Sequence, residues 1–217
     1  MKKNDIHKKL VLGLLFIFPL LVYLFFASGK NNFAKLPILT KGVKEISIKN
    51  QTTKLKNSIT ILGYWGGSLE NKKAEALNLN EKIYKRFYQF ADFQFVFLVD
   101  SSKIKQVDVL KNSLKQGAGT DLSRWNFIPV NSDYIKIHFS SLKTPLLLEE
   151  DYSSPFVFII DKDLSLRGRN DDEDTGTLYG FDARSVAQIN KKMIDDVKVI
   201  LAEYRLALKI YNTKRVK

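Results

Sequence analysis

The 217-residue sequence contains no cysteine. That removes disulfides, Cys-ligated zinc, iron–sulfur clusters, thiolate nucleophiles and CxxC redox chemistry together. Two histidines and two methionines remain, one Met being the initiator, which excludes a His-rich or Met-rich metal site within one chain. None of the eleven glycines sits in a GxxxxGK[ST] or GxGxxG phosphate-binding context. No internal repeat and no low-complexity linker divides the chain. What is present is 45% hydrophobic and 27% charged, enough to bury a core and unlike a disordered chain. The net charge of +12 raises the question of nucleic acid. The basic residues are mostly Lys, spread along the chain and interrupted by acids, and no basic helix face interleaves with aromatics. We read a solvated Lys-rich surface, near anionic lipid rather than on nucleic acid.

Leu10 to Ala27 is a run of eighteen residues without charge. As a helix it rises about 27 Å, close to the hydrocarbon thickness of about 30 Å. Pro19 lies mid-run, where membrane helices tolerate it. Lys2, Lys3, Lys8 and Lys9 precede the run, so the positive-inside rule favours a cytoplasmic N-terminus and an exported C-terminal domain. Ala27-Ser28-Gly29 is a passable cleavage site, but the run exceeds the usual signal-peptide core of about 7–15 residues, so an anchor is the preferred reading. The expected organisation is a cytoplasmic N-terminus (1–9), an anchor through which the chain meets the lipid bilayer (10–27), a linker with a lead-in strand (28–51), one domain (52–211) and a basic tail (212–217). The location implied is the bacterial cytoplasmic membrane, with the domain on the periplasmic side.

Val43, Ile46 and Ile48 suggest an edge strand over Val43 to Lys49. Ile59 to Tyr64 and Phe93 to Val99 are apolar, β-rich runs typical of strands covered on both faces. Between them, Leu77, Ile83-Tyr84 and Phe87-Tyr88 recur at helical spacing, predicting a helix near Asn71 to Phe90 that Ser68 could cap. Strand, helix and strand make a parallel βαβ unit. A second helix is expected near Lys103 to Lys115, ended by Gly117-Ala118-Gly119, then a strand at Trp125 to Val130. Asp133 to Leu142 alternates like a strand, but Ser132-Asp133 resembles a helix start, and a helix is favoured. Phe156 to Asp161 and Leu164 to Arg169 form a β-hairpin. From Ser185 a long amphipathic helix runs towards the C-terminus. A βαβ half joined to a ββα half predicts an α/β, thioredoxin-like fold: a central mixed sheet flanked by helices, with one N-terminal transmembrane helix.

Specific strings add to this pattern. Ser154-Pro155-Phe156-Val157-Phe158-Ile159-Ile160-Asp161, then Leu166-Arg167-Gly168-Arg169, and the closing Ile194 to Tyr204 resemble the SCO/SenC family of membrane-anchored, thioredoxin-like assembly factors, over roughly residues 36 to 210. The resemblance implies copper handling or thiol reduction at the CuA centre of cytochrome oxidase. The family uses a CxxxC loop after the first βαβ strand and a histidine before the hairpin. The cysteines would fall at Gly66 and Glu70, and the histidine between Tyr152 and Ser154. Neither is present, and hard oxygen groups do not replace soft copper(I) ligands. The resemblance therefore implies a degenerate member without redox or metal site and without cofactor.

The degenerate site positions are Gly66, Glu70, Ser153, Ser154 and Pro155, the last placed where thioredoxin-like folds often hold a cis proline. Trp65 and Gly67 are candidates for a binding groove, Trp65 and Trp125 being alternatively core residues. Asp171 to Asp174 reads as a solvated loop paired to Arg167 and Arg169, and Glu149-Glu150-Asp151 likewise. His138 reads as structural. The function expected is a non-catalytic protein-binding or assembly factor acting on an unnamed membrane or envelope protein, in a setting of respiratory-oxidase assembly. The alternatives are an enzyme using a carboxylate and arginine site near Asp171 to Asp174, and a copper-handling protein completed by a partner's ligands.

Overall fold

The computed structural model describes residues 3–28, 34–48, 51–118 and 121–215. They form two compact units, Met1–Ala34 and Lys35–Lys217. The first is one helix, α1 (Lys3–Ser28), with Pro19 inside it. Its stretch His7–Phe26 is long and apolar enough to cross a membrane. That length and composition fit a membrane anchor or a signal sequence alike.

The second unit is built on one sheet. Its strands are β1 (Ile38–Thr40), β2 (Ile59–Trp65), β3 (Phe93–Asp100), β4 (Trp125–Val130), β5 (Phe156–Ile160) and β6 (Leu166–Arg167), in the spatial order β1-β6-β5-β2-β3-β4. The pairs β2–β3 and β3–β4 are parallel, with Ile59 opposite Phe93 and Phe95 opposite Trp125. The pairs β2–β5, β5–β6 and β6–β1 are antiparallel. A small hairpin follows, β7 (Arg169–Asp172) with β8 (Gly176–Leu178), and then β9 (Phe181–Asp182) against β5. The helices are α2 (residues 73–87), α3 (Ile104–Ala118), α4 (Ser132–Ser140) and α5 (residues 186–215).

Alternation along each central strand sorts side chains into two cores. Ile59, Ile61 and Trp65 join Phe93, Phe95, Phe97, Trp125 and Phe127 under α2, α3 and α5. Leu62 and Tyr64 join Val96, Leu98, Ile128 and Phe158 under α4 and the 43–55 segment. Gly63 faces the Phe97 ring from the neighbouring strand, and a Cβ there would run into it. That close approach explains a glycine inside an otherwise bulky strand.

Several expectations need correction. Residues 43–48 are irregular; the lead-in strand is Ile38–Thr40, and Lys49 lies outside the described residues. Val43 and Ile46 are buried, so their pattern reports burial and not strand pairing. Ser68 caps nothing: α2 begins at Lys73 after Lys72, without a side-chain cap. Both α2 and α5 contain π-helical turns, at Asn80–Tyr84 and Ile189–Met193. Helix α3 continues through Gly117 to Ala118, and Gly119 lies outside the described residues. Helix α5 runs on to Arg215, through most of the expected tail, and Val216 and Lys217 lie outside the described residues. Ser185 does cap it, its hydroxyl accepting from Gln188 N at 3.2 Å.

Candidate functional site

The site positions lie where β2 ends and the chain returns into β5. Trp65 pairs with Ser153 in an isolated antiparallel bridge, and Ser154 N donates to Tyr64 O at 2.8 Å. The 149–155 loop is thereby held against Gly66 and Gly67. A tight turn closes this loop: Glu149 N donates to Ser153 O at 2.8 Å and Tyr152 N to Glu149 O at 2.9 Å. Tyr152 adopts a left-handed backbone, φ +61°, which costs an aromatic residue energy and marks a specified turn.

Side chains then fill what space remains. Ser153 Oγ donates to Glu149 Oε2 at 2.8 Å, and Asp151 Oδ1 accepts from Ser153 N at 2.9 Å. Ser154 Oγ accepts from Phe156 N at 3.1 Å. Both serines are fully buried. A Cβ on Gly66 would meet the Asp151 carbonyl oxygen and sit 2.8 Å from Tyr152 Cβ, and one on Gly67 would meet the Asp151 carboxylate. Gly66 therefore has no room for a side chain of any kind. All described peptide bonds are trans, including the one before the buried Pro155.

Glu70 is placed apart from this cluster. It is exposed and lines a shallow cavity of about 260 Å³ with Leu69, Lys73, Gln106, Val109 and Leu110. Trp65 is fully buried, stacked on Phe97 at 3.9 Å, so the groove expected at Trp65 and Gly67 is not an open surface. Trp125 is likewise in the core.

Sequence reasoning missed the charged residues around the site. Lys72 and Glu75 form a buried ion pair at 3.1 Å where α2 begins. Burial raises the Glu75 carboxyl pKa despite Lys72, and its Oε2 has no hydrogen-bond partner. Burial would also raise Asp182, but the Arg184 guanidinium, bonded at 2.8 Å, holds it below the usual carboxylate range. His138 is buried on α4 with Nδ1 2.9 Å from the Tyr64 hydroxyl, and burial lowers its pKa to about 4. Its neutral imidazole is a core group bonded to the Tyr64 hydroxyl, with the Glu45 charge near enough to act on it.

The acidic run is also rearranged from its expected pairing. Asp172 and Asp174 both bind Lys192, at 2.6 and 2.7 Å. Arg169 instead pairs with Asp196, and Arg167 with Asp161 and Glu203. Among the described residues neither arginine bonds an acid of the 171–174 run, although the Asp172 charge still acts on Arg169. Among the described residues no group of three His, Asp or Glu could hold a metal ion.

No protein-family model matches this sequence, and no curated protein matches it. Solved structures do. A SCO1/SenC family lipoprotein from Bacillus anthracis aligns over 77% of this chain and 99% of its own, at 16% identity and a TM-score of 0.53. The fold is SCO/SenC-like. BsSco, a Sco-family cytochrome c oxidase assembly protein, aligns over 76% of this chain and 94% of its own at 10% identity, TM-score 0.49. A putative protein disulfide isomerase from Bacteroides thetaiotaomicron covers 78% and 95%, at 9% identity and a TM-score of 0.48. At such identities the likeness establishes the thioredoxin-like scaffold and nothing of its chemistry. Copper does not fit these residues: their side-chain atoms are hard oxygens already held in hydrogen bonds, and the Gly66 position is packed shut.

Proposed function

We propose that the chain is a membrane-anchored, exported, SCO/SenC-like domain that performs no redox or metal chemistry and acts by binding another membrane or envelope protein. The observation that carries this reading is the closed site: the 149–155 loop occupies the ground in front of Gly66 with its own hydrogen bonds. A scaffold whose reactive position is filled by its own backbone retains only its surfaces for function. The apolar helix His7–Phe26 supports anchoring, which raises the domain's effective concentration near membrane partners. Respiratory-oxidase assembly is the setting we favour, on the resemblance of the sequence to the SCO/SenC family.

The test is capture from cross-linked, detergent-solubilised membranes with the full chain as bait. The reading expects specific membrane or envelope proteins, with oxidase subunits among them, in amounts unchanged by copper chelation or thiol reductants. Recovery of nothing beyond an untagged control would contradict it, and loss of the captured proteins on chelation would point instead to a shared metal site.

A further inference from the structure

One side of the sheet is covered by a layer built from two stretches of chain. Residues 41–48 and 51–56 bury Val43, Ile46 and Leu55 in the same core that receives Ile135 and Phe139 from α4. Hydrogen bonds set these strips side by side. Lys44 N donates to Ser141 Oγ at 3.0 Å and Ser47 N to the Tyr134 hydroxyl at 3.1 Å, which lays 44–47 along α4. Leu55 N and Lys56 N donate to the Glu45 carboxylate at 2.7 and 2.9 Å, which brings 55–56 beside the same strip.

The charge on this layer is almost all of one sign. Lys41, Lys44, Lys54, Lys56, Lys136 and Lys143 are exposed. Glu45 is half-buried and its oxygens are taken by backbone N–H groups, that of Ile46 included. Asp133 is then the one exposed acid among the described residues of 41–56 and 132–143. Every ion pair among the described residues lies elsewhere in the domain, so these six lysines have no carboxylate partner. On the same layer Ile137 of α4 is 53% exposed.

We propose that this layer docks an acidic segment of the partner protein, with carboxylates against the lysines and an apolar side chain on Ile137. The occupant follows from charge complementarity, since unpaired cations attract the opposite charge and fix its register. An apolar side chain within a polar rim is the anatomy of a protein interface. The described residues of the layer include no arginine and no exposed aromatic ring, the groups that fork onto phosphate and stack on bases. The inference gives a chemistry to the partner of the protein-binding reading above and rests on it.

The test uses the full chain in non-ionic detergent and a fluorescent peptide of glutamates flanking a leucine pair, with anisotropy as the readout. One variant combines Lys44→Gln, Lys136→Gln and Lys143→Gln. A control removes the same charge from exposed lysines of α3 and α5, as Lys105→Gln, Lys115→Gln and Lys191→Gln. Each exposed pair is worth roughly two- to fivefold in affinity, so the first triple should bind at least about tenfold more weakly, and the control like the native chain. Ile137→Gln should weaken the leucine-bearing peptide and leave a peptide of glutamates alone unaffected. No binding by the native chain, or equal losses in the two triples, would overturn the proposal. So would tighter binding of phosphatidylglycerol-containing micelles or of a DNA oligonucleotide, which would make the layer a lipid or nucleic-acid contact. Capture of membrane proteins separates the two levels. If the native chain and the first triple capture them equally, this surface is wrong and the protein-binding reading stands. If the native chain captures none, that reading fails and the proposal with it.

Discussion

Two glycines at the site carry opposite expectations although they are adjacent. Gly66 faces backbone, so Gly66→Ala should cost about 1–3 kcal/mol, as overpacking does. Gly67 faces an exposed carboxylate that can swing away, and Gly67→Ala should cost clearly less. Urea unfolding followed by the emission of the buried Trp65 and Trp125 measures both, and equal costs would contradict the packed-shut description. His138 makes a pH prediction. Its folded pKa, about 4, lies below the ordinary 6.5, so the unfolded chain takes up a proton first as pH falls. Stability from the neutral imidazole is present above pH 6.5 and is lost between 6.5 and about 4, amounting to roughly 3 kcal/mol. Raised carboxyl pKa values at Glu75 and Asp196 act in the opposite sense, so the quantity to measure is the difference between the native chain and His138→Asn across that window. A difference that does not change with pH would refute it. The sequence marks His138 as structural and Gly66 as a site position, but neither the Tyr64 partner of the one nor the backbone packed on the other was legible. The missing ligands could be read directly, but what fills their place depends on how residues about ninety positions apart meet.

At the level of elements, the sequence was most informative where burial is two-sided. β2, β3 and β5 are continuous apolar runs because both faces are covered, and such runs have few other solutions. It was least informative at edges. The three-residue β1 is too short for a pattern, and the apolar residues of 43–48 attach irregular chain to the core under α4. The hairpin β7–β8 was hidden in its own acidity, since Asp172 accepts from Asp174 N and Thr175 N to make the turn. Caps separate the two readings by experiment. Ser185→Ala should destabilise the domain by about 1 kcal/mol through loss of the bond to Gln188 N, while Ser68→Ala should be close to neutral. A larger loss from Ser68 would restore it as a cap. Arg167 ties elements together by donating to the Leu36 carbonyl, Asp161 and Glu203. Arg167→Ala removes the charged partner of buried Asp161 and should cost about 3–5 kcal/mol, part of it recovered by Asp161→Asn, whose Oδ1 can still accept from Asp163 N and Ser165 N. Urea midpoints of the single and double variants form that comparison.

For the molecule as a whole, what is specified most widely is the scaffold. The parallel βαβ half, the antiparallel hairpin and the closing helix persist because they are specified by dozens of core contacts spread along the chain. The chemistry that the sequence resemblance to the SCO/SenC family implies would need three side chains, and the core of this chain is built without them. The sequence could therefore show the fold through its pattern and the absent cysteines through its composition, while a surface that binds another protein has no such pattern. The measurement that bears most directly on this account is a copper(I) titration of the full chain in detergent, under anaerobic competition with a chromogenic chelator. The account predicts that the chain takes no copper from a chelator poised at submicromolar affinity. One equivalent bound per chain at that affinity would contradict it.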